Sequence, residues 1–319
     1  MDMNLYIVGA GSIGMLLAAR LAKYSPLLIT RTSDQSELIR RQGLELTEGT
    51  QRECFSIRSI DATSCQSELA NGTLEQADCI LLTVKQTHMD EALLTLLRSA
   101  LQPDGLLVCY QNGMGHIELL SHALNAPCIA AAVTTEGARK TSSASVFHTG
   151  RGSTKLGMIE TGRSHSTQKG HDRLVIVEQC LNEAGFVTSM SNEITADIWN
   201  KLVINCVINP LTAYYGLYNG ELLRSPFLLR VMRMLYEEAV QVADKEAIRV
   251  DPELWDKLIE VCNKTAGNRS SMLQDIDFNR PTELEWMTGS LLRAAEKGAI
   301  RLPTHEELYY ALRGSVHSR

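Results

Sequence analysis

Leu5-Tyr6-Ile7-Val8-Gly9-Ala10-Gly11-Ser12-Ile13-Gly14-Met15-Leu16-Leu17-Ala18-Ala19 joins an apolar tetrad to three glycines in G-x-G-x-x-G spacing and then to an unbroken apolar run. The stretch predicts a strand over 5–8, a tight turn over 9–14 and a helix over about 13–23 that packs on a sheet through Met15, Leu16, Leu17, Ala18, Ala19 and Leu21. Alone, the glycine pattern is a weak signal. Between a strand and a helix it is the fingerprint of dinucleotide binding. Gly9 permits the turn, Gly11 lets the backbone approach a pyrophosphate, and Gly14 lets the helix pack close to the strand. Ala10, Ser12 and Ile13 complete the cradle, where N–H groups at the helix start receive negative charge. A glycine turn with no ligand is the plain alternative, and the strand-loop-helix context argues against it.

Working outward, 27–30 returns as a second strand, and its end decides which dinucleotide fits. An acidic side chain there would accept hydrogen bonds from the ribose of NAD. This chain has Thr30-Arg31 instead, and a guanidinium suits the 2'-phosphate of NADP. Asp34, three residues later, leaves ribose binding in another geometry open. Lys85 and Asn112 also follow apolar strands, at the carboxyl end of a parallel sheet where ligands of open α/β folds bind. For Lys85 the competing role is an exposed loop lysine; for Asn112 it is a tight Asn-Gly turn.

Further strands are expected at 79–84, 106–110 and 128–133, with a helix over 90–100 closed by a Pro103-Asp104-Gly105 turn. A polar stretch over 161–172 reads as an exposed loop before a helix over 173–184 and a short strand over 186–188. From 194 onward the apolar spacing is helical, with pieces at 199–208, 222–247, 252–265, 271–278 and 282–297. The fold class is therefore α/β, an N-terminal Rossmann-type doubly wound parallel sheet (1–192) followed by an all-α C-terminal domain (193–319). The length of 319 residues fits two domains, and 44% apolar residues suffice to bury a core in each.

With 37 acidic against 31 basic residues and a net charge of -6, the chain has no broad footprint for nucleic acid. No apolar run approaches the roughly 18 residues of a membrane span. Eight scattered cysteines without a CxxC pair or a Cys/His cluster read as buried small hydrophobes in a reducing compartment, so the expectation is a soluble, cytoplasmic protein without a metal site.

The chemistry concentrates in Trp199-Asn200-Lys201-Leu202-Val203-Ile204-Asn205-Cys206-Val207-Ile208-Asn209-Pro210. Lys201, Asn205 and Asn209 are spaced by four, an arc of about 80° on one helix face. Nearly every other position is apolar, so the helix should be buried. Burying an ammonium and two amides without partners costs on the order of several kcal/mol. Either an internal hydrogen-bond network satisfies them, or they line a substrate site between the domains with Lys201 as the working cation; the clustering favours the second. Later, Ser270 can cap a helix, leaving Ser271 in its first turn where a carboxylate could be received. Pro281-Thr282-Glu283-Leu284-Glu285 reads as another helix start, with Thr282 as cap and Glu285 completing a capping box. Glu283 there could simply favour the helix dipole.

GAGSIG at 9–14, TVKQ at 83–86, QNGMG at 111–115, KLVINCVINPLTA at 201–213, SSMLQDI at 270–276 and PTELEW at 281–286 together resemble the ketopantoate reductase family. The blocks run in the family's order across nearly the whole chain. The resemblance implies NADPH-dependent reduction of 2-dehydropantoate (ketopantoate) to (R)-pantoate on the way to pantothenate and coenzyme A, in a cleft between the domains. It implies Lys201 as general acid, Asn205 and Asn209 as substrate-orienting amides, Ser271 as carboxylate binder and Asn268 as hydroxyl binder. Glu283 is implied as an acidic partner of the lysine that also touches cofactor and substrate, Asn112 as a loop amide near nicotinamide and substrate, and Arg31 and Lys85 as NADP-phosphate contacts. Two departures, Trp286 for the usual tyrosine and His305 for an asparagine, bear on substrate shape. A different 2-oxo acid, or a dinucleotide sensor without catalysis, are the alternatives; a sensor requires no buried proton donor. Oligomeric state is left open, a homodimer included.

Overall fold

The computed structural model describes residues 3–124, 128–160 and 167–317, with side chains through residue 314. It divides into two compact units, one of Met1–Gln111 with His116–Ile194 and one of Asn112–Gly115 with Thr195–Arg319.

In the first unit β1 (Leu5–Val8) is buried at every position, turns through residues 9–14 into α1 (Ser12–Arg20) and returns as the equally buried β2 (Leu27–Thr30). Then come α2 (Ser33–Gln42), β3 (Leu44–Glu48), β4 (Gln51–Phe55), β5 (Arg58–Asp61) and α3 (Ala62–Ala70). Asp61 caps α3 by accepting from the N–H groups of Thr63 and Ser64. The chain continues through β6 (Ala77–Leu82), α4 (Glu91–Ala100), β7 (Leu101–Cys109), α5 (His116–Ala123) and β8 (Cys128–Thr134). β9 (Gly137–Ser142), β10 (Ser145–Gly150), β11 (Thr154–Ile159), α6 (Gln168–Glu183) and β12 (Thr188–Met190) complete the unit.

Eight strands form one sheet in the order β12-β11-β8-β7-β6-β1-β2-β5, parallel except where β11 meets β8. β1 lies between β2 and β6, so the chain winds outward from it in both directions, and the carboxyl end of β1 is the switch point where open sheets bind ligands. Met15 to Ala19 of α1 and Leu174, Val177 and Leu181 of α6 pack in one core with Ile7, Leu28, Leu81 and Val108 of the strands.

The doubly wound sheet agrees with the sequence, but six strands between 44 and 159 were not anticipated. Four of them, β4-β3-β10-β9, make a separate small sheet. β4 is exposed at all but its last residue and β9 over its last four, so neither carries the apolar alternation by which strands are recognised. Pro103-Asp104-Gly105 is not a turn: pairing jumps from Ala77 with Leu101 to Cys79 with Leu106, leaving these residues in a bulge within β7. The buried Arg173 of α6 holds that bulge, donating to the Asp104 carbonyl and pairing with Asp78 at 2.5 Å. The expected loop over 161–172 is also corrected. Residues 161–166 lie outside the described residues, and from Gln168 the chain is already helical behind a Thr167 cap. Cys54 departs from its buried siblings by lying exposed on β4.

The second unit is helical: α7 (Ile194–Tyr215), α8 (Pro226–Lys245), α9 (Leu254–Lys264), α10 (Ser271–Asp277), α11 (Thr288–Lys297) and α12 (Pro303–His317), with 3-10 turns at Asn219–Arg224 and Leu284–Trp286. Trp199, Leu202, Val203, Cys206 and Val207 of α7 form its core with Leu235 and Ala239 of α8, Leu258 of α9 and Leu291 of α11. The capping box at 282–285 does not form. Glu283 begins a 3-10 turn without a side-chain cap, and Glu285 instead pairs with Arg293 and accepts from the Tyr309 hydroxyl. His305 is fully buried, and Glu238 of α8 accepts from its ring and from the backbone N–H groups of Thr304 and His305 at 2.9–3.0 Å. That carboxylate caps α12 and fixes the His305 ring in the helical unit. Among the described residues no helix is long and apolar enough to cross a membrane.

Candidate active site

The glycine loop is shaped by what each position excludes. A side chain at Gly9, whose φ is +111°, would lie 2.8 Å from Val84, and one at Gly14 would lie 1.9 Å from the Gly9 carbonyl. At Gly11 an added Cβ meets nothing within 4 Å. Two glycines are therefore demanded by the protein itself, and the third faces open space. No side chain caps the start of α1, so its first N–H groups point into that space without a capping oxygen. Thr83 of the TVKQ block steadies the loop from below, donating to the Gly9 carbonyl at 2.8 Å with the Val8 carbonyl 3.1 Å away.

Cations gather around the loop. Arg31 is exposed just beyond β2, and Lys85 is half-buried beyond β6. Burial first, and then the charges of Arg31 and Lys85, push the His88 imidazole below its ordinary value. Lys140 of β9 was missed in the sequence. Its backbone N–H donates to the Ser12 hydroxyl at 3.0 Å, and its ammonium lies 3.2 Å from the Ala10 carbonyl. Only its place in a basic pair shortly after an apolar strand could have signalled it. An open cradle, an uncapped helix start and converging cations fit a dinucleotide with its phosphates. Asp34 sits in the first turn of α2 behind the Thr32 cap, where it complements the helix dipole.

Asn112 is half-buried, and the loop Asn112–Gly115 belongs to the second unit. Met114 donates its N–H to the Trp286 carbonyl at 3.1 Å, and a Cβ at Gly115 would touch the Trp286 ring at 3.8 Å. Positive φ at Gly113 and Gly115 gives the loop its path.

α7 carries the polar stripe. Lys201 and Asn205 are half-buried, Asn209 is buried, and Cys206, Val207 and Ile208 between them are core. Burial pushes the Lys201 ammonium down to about 8, and the buried Glu283 carboxylate opposes that shift. The Asn209 amide lies 3.5 Å from the Ser271 hydroxyl, at the limit of a hydrogen bond. Ser271 itself is exposed in the first turn of α10, and Ser270 caps that helix as expected. Thr212 ties the two elements together, its hydroxyl donating to the Ile208 carbonyl at 2.8 Å and lying 2.7 Å from the Ser270 hydroxyl, which can donate to it. Lys201 is thus brought to Glu283, and Asn209 to Ser271. Asn268 is exposed, and the fold uses its backbone, whose carbonyl accepts from Asn219 N–H at 3.0 Å. A half-buried ammonium near neutrality beside a carboxylate, with amides along the same face, can donate a proton to a developing oxyanion.

The family model described as "Ketopantoate reductase PanE/ApbA" matches residues 5–161, and "Ketopantoate reductase PanE/ApbA C terminal" matches 193–316. A 2-dehydropantoate 2-reductase of Vibrio cholerae serotype O1 is 32% identical over 314 residues, covering 98% of this chain and 97% of that protein. The crystal structure of a PanE/ApbA family ketopantoate reductase from Ralstonia eutropha JMP134 superposes with a TM-score of 0.86 at 24% identity, covering 99% of each chain. D-mandelate dehydrogenase, solved with NADH and anilino(oxo)acetate, has the same fold at a TM-score of 0.86 and 23% identity, again over 99% of each chain.

Proposed function

This chain belongs to the ketopantoate reductase family, and we propose that it reduces 2-dehydropantoate to (R)-pantoate with NADPH, a step toward pantothenate and coenzyme A. The observation that carries the chemistry is Lys201, poised at about 8 next to buried Glu283 on the helix face that also bears Asn205 and Asn209.

The glycine loop from Gly9 to Gly14 with Arg31 and Lys85 would hold NADPH, which when bound supplies the hydride to the C2 ketone of the keto acid. Arg31, standing where an NAD enzyme keeps a carboxylate, supports the choice of NADPH over NADH. Lys201 stabilises the negative charge that grows on the ketone oxygen and donates its proton there, leaving a neutral amine that solvent reprotonates. Glu283 keeps the ammonium charged despite burial. Asn205 and Asn209 orient the substrate, Ser271 receives its carboxylate, Asn268 binds its hydroxyl, and Asn112 flanks the reacting carbon.

One observation favours a second substrate choice. Trp286 lies against the loop that carries Asn112, where the family usually has tyrosine, so a 2-oxo acid with a different side chain is the runner-up. The test is Lys201→Ala, assayed with NADPH and 2-dehydropantoate. Turnover should fall by at least about 10², the lower end for a positioned proton donor, with NADPH affinity nearly intact. Near-normal turnover would remove Lys201 from the proton transfer.

A further inference from the structure

We propose that Lys140 is a second cation for the cofactor's 2'-phosphate, working with Arg31; this rests on the NADPH assignment above. The small sheet β4-β3-β10-β9 has no part in the doubly wound sheet, yet it is fastened to the glycine loop. Lys140 donates through its backbone to Ser12 and through its ammonium to the Ala10 carbonyl. Gln35 adds a brace, its amide 3.1 Å from the same Ala10 carbonyl and 3.0 Å from the Ser143 carbonyl between β9 and β10. These contacts hold the Lys140 stem in place beside the cradle.

Its charge, however, is not balanced by them. Ala10 offers a neutral carbonyl, and among the described residues no carboxylate forms an ion pair with Lys140 or with Arg31. Burial first, and then the charge of Arg31, pushes the Lys140 ammonium below its ordinary value. An ammonium held against the glycine loop and a guanidinium at the end of β2, neither with a carboxylate partner among the described residues, suit a ligand that supplies the negative charge. Arg31 lies just beyond β2, where the 2' position of the adenosine ribose is read. A phosphate there carries up to two charges, and two donors from different elements would clamp it more selectively than one.

Calorimetric titration of the full chain tests this with NADPH, NADH and adenosine 2',5'-bisphosphate on wild type, Lys140→Met and Lys140→Arg. Lys140→Met should weaken NADPH and the bisphosphate at least about tenfold, with NADH within about twofold. Lys140→Arg, which keeps the charge, should restore most of the affinity. Equal weakening of NADPH and NADH would overturn the proposal in favour of a pyrophosphate contact or a loop brace, and unchanged affinities would overturn it outright. A wild type without preference for NADPH would instead sink the cofactor assignment, and the proposal with it. Unfolding midpoints of each variant separate these outcomes from a damaged fold.

Discussion

Replacing Glu283 by Gln should move the alkaline limb of turnover, because the carboxylate holds up the proton affinity of Lys201. In the wild type the lysine titrates at about 8, so about nine-tenths of the enzyme carries the proton at pH 7, half at pH 8 and about one-tenth at pH 9. Burial sets the downward direction, and the Glu283 carboxylate opposes it. An opposite charge within contact range is worth about 1–3 pH units. Taking the low end, Glu283→Gln brings the midpoint to about 7, so at pH 8 only about one-tenth of the lysine keeps its proton and turnover drops about tenfold relative to its acid plateau, against about twofold in the wild type. The assay is kcat against pH under saturating substrate and cofactor, with the same ionic strength throughout. A limb that stays at about 8 while kcat falls uniformly would refute the electrostatic coupling and leave Glu283 a substrate contact only.

Other outcomes follow from the same structure. Gly11→Ala should leave the unfolding midpoint unchanged while weakening NADPH, since its Cβ enters open space; Gly14→Ala, with a Cβ 1.9 Å from a carbonyl, should lower expression or midpoint, and equal thermal behaviour of the two would count against the loop geometry. Arg173→Met strips the buried guanidinium from the half-buried Asp78 carboxylate and should cost about 1.5–3 kcal/mol by denaturant titration, a loss below about 0.5 kcal/mol contradicting it. Lys201→Met should be more stable than wild type at pH 7. Its folded-state value lies below the ordinary 10.5, so the unfolded chain binds more protons between about 8 and 10.5 and wild-type stability climbs with pH there; a gap between the two proteins that does not narrow as pH rises through that window would be inconsistent. Arg31→Ala should weaken NADPH far more than NADH in binding titrations, and equal weakening would mean Arg31 does not read the 2'-phosphate.

The central fold elements were legible because their signals are local. β1, the glycine turn and α1 announce themselves through burial and packing demands that only glycine meets. The stripe on α7 stood out because three polar groups recur every fourth residue among core positions. Long-range pairing left no such trace. β9 is exposed along its outer half, so Lys140 looked like any surface lysine until the small sheet brought it to Ser12 and Ala10. Likewise Glu238 and His305 are 67 positions apart, and nothing local tells that one caps the helix of the other. The bulge at Pro103-Asp104-Gly105 has turn chemistry, but Arg173 from α6 keeps it within a strand.

Cofactor oxidation followed in the presence of 2-dehydropantoate, and in parallel with unbranched and bulkier 2-oxo acids, tests the proposed reaction most directly. NADPH should be consumed fastest with 2-dehydropantoate, giving the (R) alcohol, and NADH should serve poorly. Consumption with another 2-oxo acid but none with 2-dehydropantoate would contradict the substrate, and no consumption with any of them would contradict the reductase itself.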